Sequence, residues 1–338
     1  MKTFTYRTRL ALDDLALVER PLPHVGPREV LVRVDAVSLE YRDLAIARGA
    51  YGALPVPLVP ASSAAGEIVA VGSGVTRFAA GDRVSPAYVP AWRDGPVDET
   101  VARGRLGGPL DGVLAEHVVV HEDALVRVPA GFRAIDAATL PVAAVSTWQA
   151  LVTDGATRPG DDVAVSGTGA AALFAVAIAK AAGARPIVLG RDAARLERVR
   201  ALGAEVVDVT ATPEWDVRVR ALTSGRGVDL FLDAIGGASL DRAVASTRIG
   251  GTVSLFGFAA GARPSIDLVA AIRRAVTLRA TSGGSVRSFE ALVRAIDRGA
   301  PIRPIVDRVF AFGDARAAFA HLADGRPFGK VIVAREVP

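Results

Sequence analysis

One segment constrains this chain more than any other: Val163-Ala164-Val165-Ser166-Gly167-Thr168-Gly169-Ala170-Ala171-Ala172-Leu173-Phe174. A short apolar strand runs straight into Gly167-x-Gly169-x-x-Ala172, after which the pattern turns helical. The spacing predicts a tight turn at a helix N-terminus, where free N–H groups and the positive end of the helix dipole can receive a pyrophosphate. Gly167 would make the turn, Gly169 would let a phosphate approach the backbone, and Ala172 would let the helix pack closely on its strand. Thr168, Ala170 and Ala171 fill the positions between. In a chain with 34 glycines the bare spacing says little. Between a strand and a helix it points to a dinucleotide.

The surroundings supply that context. Asp162–Ser166, Pro186–Leu189, Val228–Leu232, Gly251–Gly257 and Ala275–Ala280 read as strands. Ala137–Leu151, Ala171–Ala182 and Asp192–Leu202 read as helices, the last with Asp192 as its N-cap. This α/β alternation predicts a doubly wound parallel sheet. The first third is instead β-rich, with strands expected at Val30–Val37, Gly66–Gly72, Gly81–Val84, Val113–Val120 and Ala124–Val128, and no long helical period before about Arg133. The tail is mixed: helix Ser288–Arg298, strand Val306–Phe312, helix Asp314–Leu322 and strand Lys330–Ala334. At 338 residues, two domains are expected.

The ribose end of the nucleotide is read from the second strand. A fold that selects NAD places Asp or Glu there, about 20 residues past the glycines, to bind the 2′-hydroxyl. Here the strand ends Leu189-Gly190-Arg191. Lacking that carboxylate, the site would not repel a 2′-phosphate, and Arg191, with Arg195, could pair with one. NADPH is therefore the expected cofactor; Asp192 would serve NADH if the strand ran further.

Composition excludes several alternatives. With no cysteine there is no thiolate metal site, no cysteine nucleophile and no redox CxxC. The net charge is +4, but Lys2, Lys180 and Lys330 are the only lysines and the arginines are scattered among acids. That is not the clustered basic face of a nucleic-acid binder. His24, His117, His121 and His321 have no metal or triad spacing, and there is no Gly-x-Ser-x-Gly elbow. The N-terminus carries no apolar signal region, and a soluble, cytoplasmic chain acting on a small molecule is expected, with neither nucleic acid nor membrane as partner.

Landmarks recur in order along the chain: Val37-Ser38-Leu39-Glu40-Tyr41-Arg42-Asp43-Leu44, Ala64-Ala65-Gly66-Glu67-Ile68-Val69-Ala70-Val71-Gly72, Gly81-Asp82-Arg83-Val84, Thr139-Leu140-Pro141-Val142-Ala143-Ala144-Val145-Ser146-Thr147-Trp148 and Gly329-Lys330-Val331-Ile332-Val333. With the glycine turn, they resemble the medium-chain dehydrogenase/reductase superfamily, and within it the zinc-free, quinone-oxidoreductase-like branch. The resemblance implies a GroES-like β-rich domain formed by both chain ends, 1–130 and 284–338, around a central Rossmann domain, 131–283. It also implies a homodimer through Ala275–Ala280.

The resemblance carries roles to particular residues. The zinc ligands of relatives fall on Glu40, Ser62 and Val142, of which only Glu40 could bind a metal, so no metal site is expected. Zinc-free relatives deliver hydride from NADPH to the β-carbon of an enone or enoyl group, or to a quinone. Tyr51, in Arg48-Gly49-Ala50-Tyr51-Gly52, resembles in position the proton-donor tyrosine of enoyl-thioester reductases, and Tyr41 is a second candidate. Many zinc-free relatives have Asn where this chain has Glu40, which is then protonated by burial, paired with an arginine such as Arg42, or in contact with a substrate donor. Ser146 takes the place of a threonine that touches the nicotinamide. Ala234 would flank the adenosine ribose, Phe256, Gly257 and Phe258 the nicotinamide, and Lys330 is counted among the cofactor residues. Tyr88 and Trp92 line a pocket or pack their loop. Two other readings stand beside the enone or quinone reductase: a zinc-free carbonyl/alcohol oxidoreductase, and a catalytically silent nucleotide-binding protein.

Overall fold

Alternating apolar residues in the first third of the chain build strands with one buried face. In this computed structural model, which describes residues 1–337 apart from the side chains of Thr100 and Ala102, the chain opens with an antiparallel hairpin, β1 (Lys2–Tyr6) and β2 (Leu15–Glu19). The long β3 (Glu29–Leu39) follows, then β4 (Ser63–Val71), β5 (Arg83–Pro86), β6 (His117–His121) and β7 (Leu125–Arg127). Val32, Ile68, Val84 and Leu125 bury one side of this sheet. Phe4, Val37, Leu44 and Leu114 form a second cluster, closed by Phe319 and Val331 from the far end of the chain.

The middle of the chain forms β8 (Asp162–Ser166), β9 (Arg185–Gly190), β10 (Glu205–Asp208), β11 (Val228–Asp233), β12 (Thr247–Leu255) and β13 (Thr277–Ala280). All neighbours are parallel, in the order β10-β9-β8-β11-β12-β13. Every residue of β8 is buried, as expected for a strand covered on both faces. The strand order reverses at β8, which places a ligand site at its C-terminal end.

The chain then resumes the first unit with helix Val286–Asp297, β14 (Val306–Ala311), helix Ala315–Ala323 and β15 (Lys330–Ala334). β15 pairs antiparallel with β3, completing a sheet in the order β14-β15-β3-β4-β5-β7, with β6 also on β3. The compact units are thus Met1–Val145 with Gly283–Gly299 and the chain from Pro304, and Ser146–Ser282 with Ala300–Arg303.

The differences from the sequence reading have local causes. The expected boundary at 130/131 gives way to Val145/Ser146, inside a single helical run, Ala134–Asp154. That run starts against β3 and β4 and ends against β11 and helix Ala170–Ala181. It is apolar and long enough to cross a membrane, but 78% of its most apolar window is buried in the protein. The strand expected at Val113–Val120 starts only at His117, because Val113 donates to Ala61 and the Leu114 carbonyl accepts from Phe4. Ala275 is left-handed (φ 49°) and closes helix Leu268–Arg274, so the last parallel strand begins at Thr277. The short β10, ending in Glu205 and Asp208, and the β1–β2 hairpin carry too little pattern to be read.

Candidate active site

The candidate residues gather in two groups, one in each unit. In the second, β8 delivers the chain to Gly167, whose φ of +91° strains any side chain and whose N–H donates to Leu189 O at 2.7 Å. Gly169 is the N-cap of helix Ala170–Ala181; it has no side-chain cap, and open space surrounds the position a Cβ would take. The first turn contains no acid. The N–H groups at Ala170, Ala171 and Ala172 have no partner within the helix, as at any helix start. Ala172 is buried on the strand side, as its spacing predicts.

Gly190, where an acid would stand, is closely packed at the end of β9. A Cβ on Gly190 would lie 2.8 Å from Thr168 Cγ2 and 2.9 Å from Leu196 Cδ2, so glycine lets the turn and the next helix close over the strand. Asp192 caps helix Ala193–Ala201 through the Arg195 N–H at 3.0 Å, as read from the sequence. Its other oxygen lies 3.7 Å from Arg195 Nε, so Arg195 is already shared with an acid. Arg191 is exposed and has no ion-pair partner among the described residues.

Beside the turn, Ser166 Oγ donates to Asp233 Oδ1 at 2.8 Å and accepts from Ala234 N at 2.9 Å, while Gly236 N donates to Asp233 at 3.1 Å. This buried pair fixes the loop after β11, and the sequence reading missed it. The signal was available: two polar residues at the C-terminal ends of strongly apolar strands. Gly257 packs on the Ala234 carbonyl so closely that a Cβ would fall 2.0 Å from it. Phe256, Gly257 and Phe258 are half-buried, and Ser146 is buried in the helix that opens this unit.

In the first unit, Glu40 precedes helix Tyr41–Ala47 and is buried. Its Oε2 meets Lys330 Nζ at 2.6 Å, and its Oε1 accepts from Ser63 Oγ at 3.0 Å. Lys330, 3% exposed, also donates to Leu39 O at 2.8 Å. Two expectations are corrected here. Glu40 pairs with a lysine rather than with Arg42, and the Lys330 ammonium, counted with the cofactor residues, is enclosed by these partners. The register of β15 against β3, with Val331 opposite Leu39, brings the pair together.

Arg42 points into another set. Its guanidinium donates to Ser62 Oγ at 3.0 Å, to Leu106 O at 3.1 Å and to Gly108 O. Its central carbon lies 5.3 Å from the ring centre of Tyr51 and 5.1 Å from that of Tyr88. Tyr88 is buried, whereas Tyr51 and Tyr41 are 39% and 46% exposed. Burial pushes the Tyr88 phenol up to about 12 and raises that of Tyr51; in both, Arg42 pulls the other way. Asp43 accepts from Glu40 N at 2.8 Å. Burial pushes its carboxyl up to about 7, against the attraction of Arg42.

The comparisons with known proteins fit this geometry. A model of the alcohol dehydrogenase GroES-like domain matches residues 26–130, and one of the zinc-binding dehydrogenases matches residues 170–298. The chain is 33% identical over 330 residues to a zinc-type alcohol dehydrogenase-like protein of Schizosaccharomyces pombe, covering 95% of each. The chain is a medium-chain dehydrogenase/reductase. Among solved structures of such proteins, a putative alcohol dehydrogenase from Sinorhizobium meliloti superposes with a TM-score of 0.92 at 39% identity, over 98% of both chains. A 2-octenoyl-CoA carboxylase reductase, solved with NADP and 2-octenoyl-CoA, superposes with a TM-score of 0.86 at 25% identity, over 98% of this chain and 87% of that one.

The protein is therefore an oxidoreductase of the medium-chain dehydrogenase/reductase superfamily, whose members bind nicotinamide cofactors. The structure joins Gly167, Thr168, Gly169 and Gly190 in one turn, with Ala234 and Gly257 at the neighbouring strand ends. It joins Glu40 to Lys330, and Tyr51 to Arg42 and Tyr88. The Arg42 contacts with Tyr51 and Tyr88 were missed, because Arg42 lies in the first turn of its helix and its burial is set by segments far away in the sequence.

Proposed function

We propose that this oxidoreductase works without zinc, takes NADPH, and delivers hydride to an activated C=C bond of an enone or enoyl substrate, or to a quinone. One observation carries the reading. The single potential ligand at the family's metal position, Glu40, is already engaged by Lys330 and Ser63, and Ser62 is engaged by Arg42 and by Leu106 O, to which its hydroxyl donates at 2.9 Å. Glu40, Ser62 and Val142 do not make a tetrahedral zinc site. A substrate that needs no metal to polarise it suits this chain better.

The turn fits a dinucleotide. Gly167, Gly169 and the N–H groups at Ala170 and Ala171 would hold the pyrophosphate, and Arg191 beside Gly190 would hold a 2′-phosphate. A bound nicotinamide supplies the hydride. The chain's own task is then to stabilise the enolate formed on the substrate and to protonate its α-carbon. Tyr51 is the assigned donor: its O–H bond breaks, the proton passes to carbon, and the phenolate is reprotonated from water.

The oligomer belongs to the same proposal. β13 is the edge of the parallel sheet and all four of its residues are exposed. Leu268, Val269 and Ile272 on the preceding helix are exposed as well, which suits pairing with a second copy.

Separate titrations of the purified protein with NADPH and NADH, followed by nicotinamide fluorescence, test the cofactor. Tight NADPH and weak NADH are expected; the reverse order overturns the Gly190–Arg191 reading. Reduction of an enone and quinone panel with stereospecifically deuterated NADPH then tests the reaction. Label on a β-carbon supports it, and label on a carbonyl carbon replaces it with carbonyl reduction.

A further inference from the structure

Arg42 has no place in the reaction as derived so far, yet it is the most elaborately held cation in its unit. It is 8% exposed, and three acceptors from separate segments, Ser62 Oγ, Leu106 O and Gly108 O, fix the plane of its guanidinium. Its Nε is buried with no hydrogen-bond partner. What the placement achieves is a shared aromatic contact: the central carbon of the group lies over the rings of both Tyr51 and Tyr88, at 5.3 and 5.1 Å from their centres. The inner ring, Tyr88, is buried, and the outer ring, Tyr51, is partly open to solvent.

We propose that Arg42 is a positioning residue, a fixed cationic platform that holds the Tyr51 ring and stabilises the phenolate left when Tyr51 gives up its proton. This rests on Tyr51 being the proton donor of the proposed reaction. A cation over an aromatic face is attracted to it, more strongly as water is excluded, and its attraction grows once the phenol ionises. Among the groups acting on Tyr51, Arg42 and Arg105 favour the phenolate, whereas burial, Asp43 and Tyr41 oppose it, and Arg42 is the strongest of the favourable ones. Arg42 thereby offsets the burial that would otherwise make Tyr51 a poor acid.

The chain has only four tyrosines, which makes the inference directly measurable. Tyr6 and Tyr88 are displaced to high pH by burial, Tyr88 to about 12. With Tyr41→Phe in the background, Tyr51 is the remaining phenol, and its ionisation is followed by near-ultraviolet tyrosinate absorbance. Arg42→Gln, which removes the charge and keeps a hydrogen-bond donor, should raise the Tyr51 pKa by about one unit, a tenfold change in its acidity. It should also lower kcat about tenfold and move the alkaline limb of its pH profile by the same amount, with NADPH affinity unchanged. Arg42→Lys should restore the titration but recover kcat only in part, because an ammonium carries charge without a stacking plane. A Tyr51 titration unmoved in folded Arg42→Gln overturns the inference. Should that variant fail to fold, full activity in Arg42→Lys overturns it instead. Failure of the wild type to reduce any acceptor refutes the proposed reaction and leaves the titration to decide on the platform.

Discussion

The glycine turn after β8 and the Glu40–Asp43 cluster are both built from short runs of sequence, yet they answer to different physics. At the turn, each residue does its work through its own backbone: Gly167 through a positive φ, Gly169 by leaving space, Gly190 by admitting Thr168 and Leu196. In the cluster, each charge is defined by a partner from elsewhere. Glu40 depends on Lys330, brought from the last strand, and Arg42 depends on the carbonyls of Leu106 and Gly108. A contiguous motif of backbone conformations is tolerant of its surroundings. A set of buried charges is only as stable as the most distant member of it.

That contrast predicts where the chain breaks. Lys330→Met should be the most damaging change, because it leaves the Glu40 carboxylate buried and unpaired, at a cost of about 3–5 kcal/mol. Urea unfolding would show the loss, and the double variant Lys330→Met with Glu40→Gln should recover most of it. A single variant as stable as the parent would mean that Glu40 finds solvent without its lysine. Next in size, Tyr51→Phe should lower turnover roughly a hundredfold while leaving stability nearly intact. A loss of fold with retained specific activity would make Tyr51 part of the packing.

On the other side of the comparison the effects are smaller and purely local. Arg191→Ala should weaken NADPH binding about tenfold and leave NADH unchanged, since one charge-assisted contact is removed and nothing else depends on it. Equal weakening of both nucleotides would show that Arg191 acts through the turn rather than on the 2′-phosphate. The charged cluster is probed once more by the pH dependence carried by Asp43. Its folded carboxyl holds a proton up to about 7, against 3.8 when unfolded. The folded state therefore binds more protons across that interval, so the contribution of Asp43 is fully present below 3.8 and is lost as pH rises through about 7. Asp43→Asn should flatten stability between these limits, measured as the unfolding midpoint against pH.

How much was legible follows the same division. The parallel sheet, its helices, the N-cap at Asp192 and the absence of an acid at Gly190 are properties of neighbouring residues, and local pattern reveals them. The helix Ala134–Asp154 was read too short, because its ends pack on different units and neither shows a complete amphipathic period. The Val113–Val120 strand was read too long, because backbone groups that look free in sequence are taken by Ala61 and Phe4.

The glycine turn, the parallel sheet around it and the lack of any thiolate for a metal follow from the sequence alone, since these depend on residue type and near spacing. That Lys330 neutralises Glu40 and that Arg42 meets both Tyr51 and Tyr88 are settled by the tertiary structure alone. The register of β15 on β3 and the closure of the Leu106–Gly108 loop over Ser62 make those choices. The reason is physical: a buried charge must find its counterpart wherever the fold excludes water, and exclusion of water is a property of the assembled chain.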